Sequence, residues 1–253
     1  MSIGASCPNS LATQRIWTTE PPLMPQSSLN SSPAKIIVVA ALKGGVSATT
    51  TSALVSSGLA LRGFKVALID ADPQGAAKAW IEAAPVDKKL PLDLISMPAA
   101  GRSLSRELEA LSRKYDVLVV DSPKGVREEA PLSALSVATL ALLPTRAAPP
   151  DVRACMVDTS FMVQQARRLN PSLQHKILCT FFRKTNIATN LLAVMESAGA
   201  PLLHNRIGDR TAYQVAAGVG SVPALMGSAY RVAAEEVDLV VNEICELLFG
   251  EAR

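Results

Sequence analysis

The sequence predicts an α/β fold in which a doubly wound, mainly parallel sheet carries helices on both faces. Three observations predict this fold: short continuous apolar runs recur, helical segments separate them, and two of the runs end at an aspartate. A continuous apolar run is typical of a strand buried on both faces, as in a parallel sheet. Strands that alternate with helices indicate a doubly wound arrangement.

The predicted elements follow one another from residue 35 onward. The strands fall in the apolar runs 36–41, 65–69, 92–95, 117–120 and 139–143, then at 176–180, with a weaker one at 201–204. The first helix follows the first strand and continues to residue 59, and the others are predicted at 102–113, 151–169, 186–198, 211–217 and 228–249. Ligands of such sheets bind at the carboxyl ends of the strands, where Asp70, Asp72 and Asp121 fall.

Composition excludes several classes of protein. The chain has 253 residues, of which 49% are hydrophobic and 19% charged, so it can form a globular core. No apolar stretch is long enough to cross a membrane. The net charge of +3 does not by itself indicate a nucleic-acid-binding protein. Four dispersed cysteines and two isolated histidines disfavour a zinc or redox site. With no secretory signal recognisable, we expect a cytoplasmic protein.

The first 34 residues differ from the remainder of the chain. They contain seven serines and five prolines, and their charged side chains are Arg15 and Glu20. This composition predicts a flexible Ser/Pro-rich extension at 1–34, followed by a single domain at 35–253. Two roles stay open for the extension: an unstructured tail, or a segment that docks on a partner through Ile16 and Trp17.

A glycine-containing loop between the first strand and the first helix is the strongest functional signal. It reads Lys43, Gly44, Gly45, Val46, Ser47, Ala48, Thr49 and Thr50. Small residues let backbone N–H groups turn toward a phosphate, and the helix N-terminus adds partial positive charge. An ordinary P-loop would have glycine at 47 and lysine at 48, so the standard motif fails at both positions.

Four further segments accompany this loop. The first, from Asp70 to Gly75, reads Asp-Ala-Asp-Pro-Gln-Gly, and the second is the apolar run that ends at Asp121-Ser122-Pro123. The third contains Pro144-Thr145-Arg146 and then Pro149-Pro150-Asp151, and the fourth covers 205–222. A carboxylate at a strand end can position water in line with a γ-phosphate, and another can hold Mg²⁺.

Together the five segments resemble the deviant Walker A ATPases of the ParA/MinD type, most of all the small ParA proteins of plasmid and chromosome partition. The family's loop reads Lys-Gly-Gly-x-Gly-Lys-Thr-Thr, and the resemblance extends from residue 35 to about 249 in consistent order. It implies a P-loop NTPase fold that binds ATP and Mg²⁺ through residues 43–50. Thr49 and Asp121 would hold the metal, and Asp72 would orient the attacking water.

The resemblance also implies a homodimer that sandwiches two ATP molecules. Lys43 matches the family's signature lysine, which contacts the nucleotide of the partner subunit. The dimer would bind DNA nonspecifically, and a ParB-like or other cargo-adaptor protein would stimulate hydrolysis. Such a protein is cytoplasmic and nucleoid-associated, and segregates a plasmid, a chromosome region or another cargo.

DNA contacts are expected in a basic stretch between residues 160 and 215. Seven basic and two acidic side chains there leave an excess of +5. Arg183, Lys184 and Arg210 fall where the family contacts DNA phosphates, so binding would be sequence-independent and salt-sensitive. The final predicted helix is acidic instead, which argues against attachment to an anionic membrane.

Ala48 replaces the lysine of the P-loop, and this departure puts hydrolysis in doubt. Losing one preorganised phosphate donor costs roughly 3 kcal/mol in comparable sites, so hydrolysis by this chain should be slow or absent. Ala48 is either an engineered substitution in a competent ATPase or the mark of a naturally inactive nucleotide-binding adaptor that acts through protein partners. The intact Lys43, Asp72 and Asp121 favour the first explanation. A synthetase of the same fold fits poorly, since no dedicated substrate residues are recognisable.

Overall fold

The computed structural model describes residues 33–41, 43–98, 100–124 and 129–250. Six strands form one parallel sheet in the order β3-β2-β4-β1-β5-β6. They are β1 (Lys35–Val39), β2 (Val66–Asp70), β3 (Asp93–Ser96), β4 (Val117–Asp121), β5 (Leu140–Arg146) and β6 (Gln174–Thr180). The predicted α/β class and parallel sheet are therefore confirmed.

Eight α-helices of the described residues connect and cover these strands. They are α1 (Ala48–Leu61), α2 (Ala76–Glu82), α3 (Leu104–Leu111), α4 (Glu129–Leu135), α5 (Pro149–Leu169), α6 (Asn186–Ser197), α7 (Thr211–Gly218) and α8 (Arg231–Phe249). Short 3₁₀ turns lie at Val86–Lys88, Gly101–Ser103, Pro223–Leu225 and Ser228–Tyr230. None of the described helices has an apolar stretch that could reach across a bilayer.

Alternate residues of the central strands supply two apolar cores, one on each face of the sheet. Ile37 and Val39 of β1 belong to the core that contains α1, α7 and α8. Ile36 and Val38 belong to the core beneath α3, α4, α5 and α6. Because both faces are covered, the strands read as continuous apolar runs in the sequence.

Several predicted elements differ from the structure. The expected strand at 201–204 is wrong: within the described chain this segment makes only an isolated bridge between Ile177 and Leu202. The last helix begins at Arg231, since residues 228–230 form a 3₁₀ turn. Two short helices, α2 and α4, were not predicted because seven residues are too few to show a helical period.

A close contact joins α2 to the segment after α7. The indole N–H of Trp80 donates to the carbonyl oxygen of Ser221 over 3.0 Å. The backbone of Gly220 passes so near that a Cβ built there would lie 2.0 Å from the amide nitrogen of Ala84. Gly220 also has a positive φ of +63°, a second reason for glycine at this position.

The predicted division at residue 34 lies almost entirely outside the described residues, which begin at Pro33. The extension at 1–34 and the single domain at 35–253 stay predictions. The same holds for the docking role considered for Ile16 and Trp17.

Candidate nucleotide-binding site

The candidate site lies where β1, β2 and β4 end together. Val39 and Asp70 both pair in register with Asp121, so the three strands stop at the same level. The glycine-containing loop leaves β1 at this edge, as the sequence predicts. In open α/β sheets this edge is the place where ligands bind.

The loop turns sharply before α1 begins at Ala48. Gly45 has a φ of +82°, and Ser47, the N-cap residue, has a φ of +65°. An ordinary P-loop has glycine at position 47, and the left-handed conformation observed here is the one that glycine adopts most easily. The Ser47 side chain does not cap the helix, so the first amides of α1 are available to an anion.

Other loop residues fix the position of this turn. The carbonyl oxygen of Val46, which is buried, accepts a hydrogen bond from the Thr180 hydroxyl over 3.1 Å. The same hydroxyl also reaches the carbonyl oxygen of Thr145. Gly44 and Gly45 are exposed, and Thr50 is half-buried in the first turn of α1. The loop is thus held from beneath by β5 and β6.

Asp121 joins the end of β4 to the start of α1. Its carboxylate accepts hydrogen bonds from Thr49 Oγ1 and from Ser52 Oγ, each over 2.9 Å. Burial raises the pKa of Asp121 to about 7, opposed by these two hydrogen bonds and reinforced by Asp70 and Asp72. The structure therefore brings together the two residues expected to hold Mg²⁺.

Asp70 and Asp72 follow β2 in the neighbouring loop. Asp70 is fully buried and accepts the amide N–H groups of Asp72 and Lys78 over 3.2 and 2.7 Å. Burial raises the pKa of Asp70 despite these bonds. Asp72 accepts the amide of Gln74 over 2.9 Å. Asp70 shapes the loop that carries Asp72, and only Asp72 was singled out from the sequence.

Lys43 is held within its own chain. Its ammonium forms an ion pair with Asp151, which lies in the first turn of α5 and is buried. The Arg146 guanidinium lies 4.0 Å from the other carboxylate oxygen. The Lys43 side chain remains 42% exposed, so it can leave this pairing without opening the core.

Ala48 occupies the start of α1 with its side chain in the apolar core, at 7% exposure. No ammonium group stands at this position, and Lys43 is the one basic side chain within residues 43–50. Anion binding in this stretch therefore relies on backbone N–H groups and on Lys43.

The three predicted DNA-contacting residues lie on neighbouring segments. The amide of Asp209 donates to the carbonyl oxygen of Phe182 over 3.1 Å, which brings residues 206–210 beside residues 181–184. Arg183 pairs with Asp209 over 2.7 Å, and Arg210 makes two hydrogen bonds to Glu236. Lys184 is exposed. Two of the three cations thus have acidic partners that the sequence did not reveal.

These groups fit ATP and Mg²⁺ in chemical character. A carboxylate and a threonine hydroxyl provide hard oxygen ligands for a Mg²⁺ ion that would take its remaining ligands from phosphate and water. No cluster of three or more His, Cys, Asp or Glu side chains suited to a metal occurs in the described ranges. The Thr49–Asp121 pair suits a metal shared with a nucleotide, and the parallel sheet with its glycine-containing loop is typical of P-loop proteins.

Comparisons with known proteins show what this chain is similar to. A family model described as an AAA domain matches residues 34–90. The "Maintenance of carboxysome distribution protein A" of Halothiobacillus neapolitanus is 29% identical over 217 residues, covering 85% of this chain and 98% of the relative. The septum site-determining protein MinD of Neisseria meningitidis is 33% identical, over 44% of this chain and 53% of the relative. Protein ParA of Rhizobium radiobacter is 22% identical, over 70% of this chain and 80% of the relative.

Solved structures agree on the fold. A Cyanothece McdA variant in complex with ATP has a TM-score of 0.68 at 18% identity and covers 86% of this chain and 97% of its own. Cobyrinic acid a,c-diamide synthase from Mycobacterium smegmatis, with a bound ATP analogue and magnesium, has a TM-score of 0.67 at 20% identity, covering 87% and 97%. At these identities the likeness concerns the fold alone. Together with the relatives above, this likeness indicates a ParA/MinD-type P-loop ATPase.

Proposed function

We propose that this chain is a ParA-type positioning protein that binds ATP and Mg²⁺, dimerises around the nucleotide and moves a cargo over DNA. The observation that carries the proposal is the pairing of Thr49 with Asp121 at the start of α1, over 2.9 Å. Lys43 stands in the same loop at the position of the signature lysine. The resemblance to a carboxysome distribution protein over 98% of its length supports the positioning role.

Each predicted residue has a distinct task in this proposal. The amides from Gly44 to Thr50 hold the phosphates, and Thr49 and Asp121 hold the metal. Asp72, in the loop after β2, orients water, and Lys43 leaves Asp151 to reach the nucleotide of a second copy. Bound MgATP supplies the charged triphosphate that two facing loops share.

In our proposal, Ala48 slows the hydrolysis of ATP by this chain. The position that would carry an ammonium on the β- and γ-phosphates holds a buried methyl group instead. A dimer formed by this chain would therefore persist on DNA longer than a dimer that has lysine at position 48.

DNA binding is assigned to the basic segments around residues 183 and 210. Lys184 is exposed, and Arg183, although paired with Asp209, keeps 76% of its side chain exposed. Dimerisation would double this surface and make DNA affinity depend on ATP. The protein would then be cytoplasmic and associated with the nucleoid.

The cargo and its adaptor form the last part of the proposal. Among the cargoes expected from the sequence, a large protein body such as the carboxysome is favoured by the near full-length match to a carboxysome distribution protein. A plasmid or chromosome region remains the alternative cargo, with a ParB-like partner. In either case an adaptor protein on the cargo would stimulate release from DNA.

DNA binding at low salt tests this proposal directly. The full chain and its Ala48→Lys variant are compared on nonspecific DNA with Mg²⁺ and ATP, with Mg²⁺ and ADP, and without nucleotide. We expect ATP-dependent binding by Ala48→Lys, and either weak or persistent binding by the parent chain. Absence of DNA binding by both proteins in every nucleotide state would contradict the mechanism.

A second function is favoured by Ala48 itself. A nucleotide-binding adaptor without hydrolysis would keep the fold and the Thr49–Asp121 pair but would act through protein partners. Binding of MgATP without ATP-dependent DNA binding in either protein would support this function.

A further inference from the structure

Ala48 and Lys43 together leave the phosphate loop short of positive charge. Position 48 has no ammonium, and Lys43 is paired with Asp151. Around the loop stand three buried carboxylates, Asp70, Asp72 and Asp121. A nucleoside triphosphate bound at this edge would add negative charge beside these carboxylates. A helix N-terminus offsets only about half an elementary charge. A further cation beside the loop would therefore strengthen binding, in addition to the Mg²⁺ that Thr49 and Asp121 would hold.

Lys124 is placed to provide that cation. It comes three residues after Asp121, in the connection that leaves β4 on the loop side of the sheet. Its aliphatic stem passes Gly44, so that a Cβ built on Gly44 would lie 4.0 Å from Lys124 Cδ. The Lys124 side chain thus lies beside Gly44, at the start of the phosphate loop.

The ammonium of Lys124 forms no ion pair within the described part of the chain. No carboxylate there lies within ion-pair distance of it, whereas Lys43, Arg183 and Arg210 all have acidic partners. The side chain is exposed and keeps a flexible four-carbon stem with three donors. A lysine without an acidic partner among these residues, lying against an anion-binding loop, is available to a phosphate.

We propose that Lys124 supplies, from the loop after β4, the phosphate-binding ammonium that Ala48 lacks. This inference rests on the proposed function, because it requires that the loop bind ATP. It goes beyond that function in assigning nucleotide affinity to a residue outside the loop motif.

Isothermal titration with MgATP tests the assignment on the full-length chain. Four proteins are compared: the parent, Lys124→Gln, Ala48→Lys, and the double variant Ala48→Lys/Lys124→Gln. We expect Lys124→Gln to weaken MgATP binding about tenfold or more in the parent, since it removes a charge-assisted hydrogen bond to phosphate. In the Ala48→Lys background the same change should weaken binding less than about threefold, because the restored lysine takes over the charge.

Two controls separate this role from a general effect of charge or stability. Lys88→Gln removes an exposed lysine from the 3₁₀ turn between α2 and β3 and should leave MgATP affinity unchanged. Lys124→Arg keeps the charge and should retain affinity within about threefold of the parent. Thermal unfolding should be the same for all Lys124 variants, since the side chain is exposed.

The outcomes distinguish failure of this inference from failure of the proposed function. If Ala48→Lys binds MgATP and Lys124→Gln does not weaken the parent, Lys124 has no such role. A parent chain that fails to bind MgATP beside a binding Ala48→Lys variant would overturn the inference equally. If neither of these two proteins binds MgATP, the proposed function itself is wrong, and the inference falls with it.

Discussion

Lys43 and Asp151 form an ion pair within one chain, between the loop after β1 and the first turn of α5. The proposed dimer needs the same lysine at the nucleotide of its partner. Pairing inside the chain and contact between chains are therefore mutually exclusive states of Lys43. Their balance sets how much ATP is required to form the dimer.

Asp151→Asn should shift this balance toward the dimer. An ion pair with one exposed partner contributes about 1 kcal/mol, so half-maximal dimerisation should need about fivefold less ATP. Light scattering across an ATP titration measures this, in the parent and in the Ala48→Lys background. Asp158→Asn on the same helix is the matched control. An unchanged titration in both backgrounds would mean that the ion pair does not oppose dimerisation.

Asp121 should make the unliganded protein less stable as the pH rises. Its pKa is about 7 when folded and about 4 when unfolded, so the folded state binds more protons between these values. Stability falls with rising pH wherever the folded state binds the extra proton. Asp121→Asn mimics the protonated form. Relative to the parent, its free energy of unfolding should therefore rise by more than about 1 kcal/mol between pH 4.5 and pH 8.

Urea unfolding of both proteins at several pH values measures the difference between their free energies of unfolding. The contributions of other titrating groups are the same in both proteins and cancel in this difference. A difference that does not change with pH would contradict the burial of an ionisable Asp121. The same variant should lose the Mg²⁺ dependence of nucleotide binding, since an amide is a poor replacement for a carboxylate ligand.

Ser47→Gly should stabilise the protein, because residue 47 has a φ of +65°. The left-handed conformation costs a non-glycine residue roughly 1–2 kcal/mol, partly offset by the greater freedom of glycine in the unfolded chain. We expect a net gain of about 0.5–1 kcal/mol, measured by urea unfolding. Ser47→Ala keeps the strain and removes only the hydroxyl, so it should show no gain. Equal stability of the Gly and Ala variants would show that the backbone is not strained here.

Lys184 and Arg210 should differ in their effects on DNA binding. Lys184 is exposed, and Lys184→Gln should lower the slope of log affinity against log salt by about 1 for each phosphate interaction that it removes. Arg210 is held by two hydrogen bonds to Glu236, and Arg210→Gln should cost about 1 kcal/mol of stability. Salt titrations of DNA binding, paired with thermal unfolding, separate the two effects. A larger salt effect from Arg210→Gln than from Lys184→Gln would reverse these assignments.

The sequence predicts the site's framework because its signals are local. Buried parallel strands appear as apolar runs, and Asp70 and Asp121 mark where two of them end. The joint role of Thr49 and Asp121 was expected from the resemblance, which assigns both residues to the metal. Ser52, which shares Asp121, lies three residues after Thr49 on the same helix face, and this spacing was a usable signal.

Other features could not be predicted because they depend on distant partners. The pairing of Lys43 with Asp151 joins residues from different βα connections, and nothing near Lys43 in the sequence indicates it. The acidic partners of Arg183 and Arg210 come from the segment before α7 and from α8. Lys124 is significant only through its approach to Gly44, a distance that no spacing encodes.

The contact between Gly220 and Ala84 also limits how the chain can be divided. The matched family segment ends at residue 90, but Trp80 and Ala84 pack against residues that follow it by more than a hundred positions. Within that segment β1 and β2 are not neighbours, since β4 lies between them. A fragment cut at residue 90 would therefore lack β4, the strand between β1 and β2. It would also lack the segment around Gly220 that packs against α2. The matched segment therefore does not form a complete sheet by itself.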